Sequence, residues 1–406
     1  MIKPKLHLPR VGRRGLLLGL SAMAMSGQAR LAMASGAAGT AKPDARLVVV
    51  LLRGAMDGLA AVQAYGDPDF AALRGPLALP EPGQEGGVLD LGGFFGLHPG
   101  LGRVHQMYKA NQALVLHAVA GAYRSRSHFD AQDMLESGAS ERLSSGWLNR
   151  ALQAMPERPQ SAGARLGLAV GFDLPLLLRG PAPVGMYAAP RGARPDPDLY
   201  ARFYDLAHDD PVIGPAVMEG MRARGFATDR LEENMRKAGG GFPALAGIAG
   251  KLLSTADGPR VAALDVGGWD THQAQASRLN GPLRQLDEGL GALKAQLGDA
   301  WAQTAVLVIT EFGRTVRVNG SQGTDHGTGT VAFLLGGAVA GGKVATDWPG
   351  LGTGKLFENR DIQPTADLRE IAKGLLKDHL GLSQSALEAA FPESESVRPR
   401  GGLLTA

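Results

Sequence analysis

Four short stretches of the chain are apolar at nearly every position: RLVVVLLR (46–53), ALVLHAVA (113–120), RVAALDVG (260–267) and AVLVIT (305–310). A strand with one wet face alternates apolar and polar residues. A strand covered by helices on both faces does not, so these four read as buried parallel strands. Between them lie stretches with helical spacing, at 128–137, 213–237 and 273–297. Strand and helix in alternation predict an α/β fold, a doubly wound, mostly parallel sheet with helices on both faces. A further amphipathic segment, ADLREIAKGLLKDHLGL (366–382), predicts a closing helix, with Asp367 at its acidic start and His379 on its surface.

Two regions break this rhythm. Residues 155–198 are rich in Pro and Gly and lack a helical period, which predicts loops and short strands at the sheet edge, or a lid. No clean linker or repeat divides the chain, so 45–390 reads as a single domain, with 391–406 expected as a flexible tail. The other region is the first 34 residues. Lys3, Lys5 and Arg10 lead to the pair Arg13-Arg14, then GLLLGLSAMAM, then the small-residue site Ala32-Met33-Ala34. That order predicts a twin-arginine signal peptide over 1–34 and a short linker over 35–44, delivering a folded protein through the twin-arginine translocase to the periplasm or beyond. The apolar run is too short for a bilayer span, which needs roughly 20 residues. No later stretch is long enough either, so no membrane association is expected after cleavage.

The leader also reverses the charge. The whole chain carries a formal +3, but residues 1–34 hold six Lys or Arg and no acid, leaving 36 basic against 39 acidic residues, a net −3. Nothing in that balance favours nucleic acid. The absence of cysteine excludes disulfides, thiolate metal sites and a cysteine nucleophile. Any metal must be held by carboxylate, imidazole, hydroxyl or carbonyl.

In open parallel sheets, function gathers where strands end. The exits here are uniformly polar. After 46–53 comes GAMDGL with Asp57; after 113–120 comes GAYRSRSHFDAQDMLESG, placing Ser125 and Ser127 before a helix. After 260–267 comes GGWDTH with Asp270 and His272, and after 305–310 comes EFGRT with Glu311 and Arg314. A fifth element, GTDHGTGTVAFLLGG, puts Asp325 and His326 ahead of a strand at 330–335. His326 joins the others only if that strand runs antiparallel to them, which is therefore the expectation.

Each residue also has a purely structural reading. Asp270 or Thr271 could cap the following helix, Ser127 could cap 128–137, and Asp57 could serve a turn beside Gly58. Glu311 and Arg314 could form a local ion pair, and GTDHGTGT could be a loose loop. Five such coincidences at strand ends favour a site. Carboxylates from Asp57, Asp270, Glu311 and Asp325 with imidazoles from His272 and His326 suit one or two divalent ions, Zn²⁺, Mn²⁺, Mg²⁺ or Ca²⁺. Such a centre suits metal-assisted hydrolysis of a small anionic ester, with Ser127 or Ser125 as nucleophile and Arg124, Arg126 and Arg314 as anion clamps.

LLRGAMDGL, YRSRSHFDAQDMLESG, GGWDTH, ITEFGRT and TDHGTGT, together with the leader, resemble the bacterial proteins grouped as domain of unknown function 1501. That family is in turn similar to the alkaline phosphatase and sulfatase superfamily. The resemblance implies metal ligation by Asp57, by Asp270 with His272, and by His326, with Ser127 as nucleophile. The phosphatases' Asp-His pair at a later strand end is replaced here by Glu311-Phe312, and the spacing of Asp270 and His272 is shorter than theirs. Sulfatases use a Cys/Ser-x-Pro-x-Arg segment, and SRSHF contains no proline, so phosphate esters are favoured over sulfate esters. Two other readings stay open: a non-catalytic exported binding protein on the same fold, for instance for a polysaccharide, and a phosphotransferase or phosphomutase.

Overall fold

Strand β1 (Arg46–Leu52) is buried along its whole length, with alternate residues divided between two cores: Val48, Val50 and Leu52 face one, Leu47, Val49 and Leu51 the other. The same division recurs along its neighbours, which is why these strands read as apolar throughout. The computed structural model describes residues 44–155, 166–171, 173–188 and 241–405. The leader, the linker to residue 43, the helical stretch 213–237 and much of 155–198 lie outside the described residues.

After β1 come α1 (Gly58–Ala61), β2 (Val62–Gln63), α2 (Phe70–Arg74), β3 (Leu89–Asp90), β4 (Gly96–Leu97), α3 (Gly102–Lys109) and β5 (Ala113–Ala120). Then follow α4 (His128–Ser137), α5 (Trp147–Ala154), β6 (Gly167–Val170), β7 (Val184–Tyr187), α6 (Phe242–Ser254) and β8 (Val261–Val266). The chain continues through α7 (Gln275–Arg278), α8 (Asn280–Leu297), β9 (Thr304–Thr310), β10 (Thr330–Leu335) and β11 (Lys343–Ala345). It closes with β12 (Ala366–Asp367), α9 (Leu368–Asp378) and α10 (Gln384–Ala390).

Nine strands form the main sheet, in the order β11–β5–β10–β9–β1–β8–β6–β7, with β12 also pairing β5. Every pairing in it is parallel except those of β10, which runs antiparallel to both β5 and β9. The expected doubly wound sheet and its one reversed strand are therefore both present. Helices α3, α6 and α8 cover one face through residues such as Met107, Leu253 and Leu290. Helices α5, α9 and α10 cover the other through Trp147, Ile371 and Leu387. A buried leucine contributes about 1.5–3 kcal/mol, so two such layers hold the sheet from both sides.

Three details differ from the sequence expectations. The helical stretch 273–297 is split into α7 and α8. His379 is buried at the end of α9, its Nε2 bonded to the Arg46 carbonyl at 2.9 Å. Residues 391–405 are packed, not loose: Phe391, Ser394 and Leu403 are buried, Leu404 bridges Val339, and Lys373 donates to the Ser394 carbonyl at 2.6 Å. Apolar anchors and a buried ammonium fix a segment whose composition reads as polar. Asp367 does cap α9, accepting from the Arg369 amide at 2.8 Å.

Candidate functional site

Because β10 is reversed, the loop before it reaches the same rim as the loops that follow β1, β5, β8 and β9. Close backbone approach locks these loops together. Gly54, just past β1, has φ +119°, and a Cβ there would sit 2.8 Å from the Asp270 amide nitrogen. Glycine alone tolerates both conditions. Gly327 lies so close to Arg314 that a Cβ would meet its carbonyl carbon at 2.4 Å, and Arg314 and His326 form an antiparallel bridge. GTDHGTGT is thus a clamped segment and not a loose loop.

Three imidazoles converge at this rim. His128 Nε2 lies 3.0 Å from His326 Nε2, which lies 2.9 Å from His272 Nε2. Asp270 Oδ1 is 3.0, 3.3 and 3.6 Å from the Nε2 atoms of His272, His326 and His128. Each ring is turned by a bond at its other nitrogen. His128 Nδ1 donates to Glu311 Oε1 at 2.8 Å, His272 Nδ1 to Asp325 Oδ1 at 3.1 Å, and His326 Nδ1 to the Arg126 carbonyl at 3.0 Å. With each Nδ1 hydrogen so committed, the Nε2 atoms face one another and a carboxylate oxygen. Such a set repels itself unless a proton or a cation lies between its members.

Donor atoms so arranged, each ring steadied from behind, could hold a divalent ion. His128, Asp270 and His326 offer atoms all within 4.8 Å of one another. Their separations of 3.0, 3.3 and 3.6 Å bracket the edge of about 3.3 Å expected for a tetrahedron of nitrogen and oxygen ligands about 2.0–2.1 Å from zinc. His272 adjoins them through Asp270 and His326.

The electrostatics follow from the neighbours. The hydrogen bond to Glu311 raises His128 above the ordinary histidine value, against burial, with the Glu311 and Asp270 charges adding to it. Burial lowers His326, helped by the charges of His128 and Arg314. Burial pushes Asp270 upward, but the bond and charge of Arg314, with His272 and His128, outweigh it and hold the carboxyl low. Glu311 is held low in the same way, burial being outweighed by bonds from His128, Gln132 and the Gly54 amide.

The sequence-predicted residues sort into distinct places. Asp270, His272 and His326 meet in the cluster. Glu311, predicted as a ligand, is instead the buried acceptor behind His128, its Oε1 also taking Gly54 N at 2.8 Å and Gln132 Nε2 at 2.9 Å. Asp325 stands behind His272 and is steadied by Asn319 at 3.1 Å. Asp57 is committed elsewhere: Arg74 and Gln275 each donate to its Oδ2 at 2.6 Å, and its Oδ1 caps α1. Arg126 is bound to Asp361 at 2.7 Å and to Glu358 at 2.5 Å, so its guanidinium does not face the cluster as a free clamp. Arg314 pairs with Asp270 at 2.6 Å and not with Glu311. Arg124 donates to the carbonyls of Gly121 and Tyr123. Ser127 stands at the start of α4 with no capping bond from its side chain, directly before His128, and Ser125 is exposed. Asp270 caps no helix, since α7 begins after Ala274.

His128 was not anticipated. Its signal was present in RSRSHFDAQD, a histidine at the first helical position after a strand exit, beside the serine that was singled out. Gln132 follows one turn later on the same helix face, where i and i+4 side chains meet.

Fold and rim together define an α/β protein with a histidine–carboxylate centre at the strand ends. Residues 102–391 match the family described as "Protein of unknown function (DUF1501)", and the chain belongs to that family. No curated protein matches the sequence. Among solved structures the chain is similar to a protein in the alkaline phosphatase superfamily from Vibrio parahaemolyticus, at 12% identity over 85% of this chain and 68% of that one, TM-score 0.37. It is similar to alkaline phosphatase from the Antarctic bacterium TAB5, at 10% identity over 74% and 94%, TM-score 0.35. It is also similar to Ps i-CgsB in complex with k-i-k-neocarrahexaose, at 11% identity over 72% of this chain and 66%, about two thirds, of that one, TM-score 0.35. No helix among the described residues is long and apolar enough to cross a membrane.

Proposed function

We propose that the protein is an exported, metal-dependent hydrolase of phosphate esters, with sulfate esters the weaker alternative. The supporting observation is the convergence of the imidazoles of His128, His272 and His326 on Asp270, each ring oriented through its Nδ1. His128, Asp270 and His326 would hold the cation, with His272 beside them. A divalent ion supplies Lewis acidity, stabilising charge on a transferring phosphoryl group and acidifying a nearby hydroxyl.

The chain's own residues do the rest. Ser127 sits at the N-terminus of α4, where unpaired backbone amides favour an anion. Its Oγ attacks phosphorus, and an Oγ–P bond forms as the bond to the ester oxygen breaks. The serine proton passes to the departing alcohol. Water then cleaves the Oγ–P bond, releasing phosphate and restoring the hydroxyl. Arg314, buried and bonded to Asp270, keeps that carboxylate ionised and aimed.

The test is hydrolysis of 4-nitrophenyl phosphate and 4-nitrophenyl sulfate by metal-loaded protein, before and after chelation, with Ser127→Ala in parallel. Chelator-sensitive turnover lost in Ser127→Ala supports the reading. Metal-loaded protein that turns over neither ester is a binding protein, and the hydrolase reading falls. Turnover that requires an acceptor alcohol marks a phosphotransferase.

A further inference from the structure

We propose that the rim takes one divalent cation per chain, because the carboxylate of Asp57, which the strand-exit pattern offers to a second ion, is neutralised by a built-in guanidinium. This rests on the metal-dependent reading above but is separable from it. Asp57 is 1% exposed and Arg74 0%, and Arg74 NH2 donates to Asp57 Oδ2 at 2.6 Å. The same oxygen takes Gln275 Nε2 at 2.6 Å, while Oδ1 takes the Ala60 amide at 3.1 Å. Both carboxylate oxygens are therefore engaged, by donors from three helices, with the loop hydroxyl Thr324 Oγ1 a further donor 3.4 Å from Oδ2.

An ion at Asp57 would have to displace Arg74, whose other terminal nitrogen bonds the carbonyls of Thr315 and Val316 at 3.3 and 3.1 Å. The guanidinium is fully buried, and among the described residues no other carboxylate is bonded to it. Displacement would leave one buried charge uncompensated, the arrangement proteins tolerate least. A second buried cation reinforces the point. Arg314 is bonded to Asp270 at 2.6 Å through NH1 and to Thr324 Oγ1 at 3.3 Å through Nε, and it lies near enough to Asp57 to lower its pKa. Arg74 supplies a fixed positive charge bonded directly to Asp57, and Arg314 adds a second between Asp57 and Asp270, so the three imidazoles, whose Nε2 lone pairs have no such partner, are the place left for a metal ion.

The experiment is metal stoichiometry on the purified full chain, loaded with Zn²⁺ or Mn²⁺ and freed of excess by gel filtration, read by elemental analysis. One ion per chain is expected in the wild type and in Asp57→Asn, and none in His326→Ala. Titration with Co²⁺ should give a visible absorption band that stops growing at one equivalent. Two ions per chain in the wild type, or an Mn²⁺ resonance spectrum of an exchange-coupled pair, overturns the inference, and neither readout depends on a variant folding. Loss of an ion from folded Asp57→Asn overturns it too. Ester hydrolysis measured on the same samples keeps the two ideas apart. One ion without turnover upholds this inference and sinks the hydrolase, whereas two ions with turnover does the reverse.

Discussion

Asp57 and Asp270 leave adjacent strands, both turn on glycine, and both meet an arginine at 2.6 Å, yet they belong to different kinds of environment. The Asp57 side chain is 2% exposed and wrapped by an arginine, a glutamine and a backbone amide. The Asp270 side chain is 45% exposed and ringed by three imidazoles. A carboxylate at a strand end is therefore not a ligand by position alone. Both carry a guanidinium; what separates them is the rest of the shell, further hydrogen-bond donors that use up the oxygens of Asp57 and imidazole lone pairs that invite a cation beside Asp270.

The sharpest way to break this contrast is Asp57→Ala. Removing one partner of a buried ion pair should cost about 3–5 kcal/mol, read as a lowered urea midpoint, while any folded fraction keeps its metal. A variant of wild-type stability that lost its metal would reverse the two roles. Next in size, His326→Ala should weaken divalent-metal binding by more than about 100-fold, beyond the loss typical of an outer partner, with a far smaller stability change. Competition against a chromogenic chelator measures it.

Glu311→Gln tests the support behind the cluster. It should weaken metal binding by about 10–100-fold and bring the His128 titration back down, since the bond to Glu311 is the largest cause of its elevation. NMR titration of the ring protons follows this, and an unmoved His128 would count against the assigned orientation. The smallest effects are those of pH. His128 is raised above 6.5 in the folded chain, so its protonated form stabilises the metal-free protein fully below 6.5, and that gain fades as pH rises through the folded value. Metal binding has the opposite dependence, weakening as protons compete for Nε2 when pH falls. Asp57 is held below 3.8, burial being outweighed by Arg74 and Gln275, so its contribution is present above that value and is lost as pH falls through the folded one. Asp57→Asn should therefore flatten the acid limb of a stability profile.

Much of the fold was legible because its strands are buried on both faces and its helices keep their period. The bounds of β5, β10 and α4 are those the pattern gives. The antiparallel course of β10 followed from one demand, that His326 share a rim with the other polar exits, and the sheet meets it. The roles within the site were less legible, for a physical reason. Sequence shows which residues reach a rim but not which partners meet them there. Arg74 lies 17 residues past Asp57 and Gln275 218 residues past it, and neither carries a local signature of the pairing. Glu311 looks like a ligand until Gln132 and the Gly54 amide are seen holding it behind His128. His128 itself is legible in principle, as a histidine that opens a helix directly after a polar strand exit. The tail after residue 390 was misread because its few apolar anchors are scattered among prolines and charges.

The reversed strand has a consequence in time as well as in space. His128 and His326 stand 198 residues apart, and the second arrives only with the loop that β10 pins between β5 and β9. Closing so long a segment is slow compared with forming local helices. No fragment that ends before residue 326 can carry the donor set, and none in which β10 is unpaired can align it. Under the proposed function, metal capture is thereby a late event, a report that the central sheet has been zipped shut.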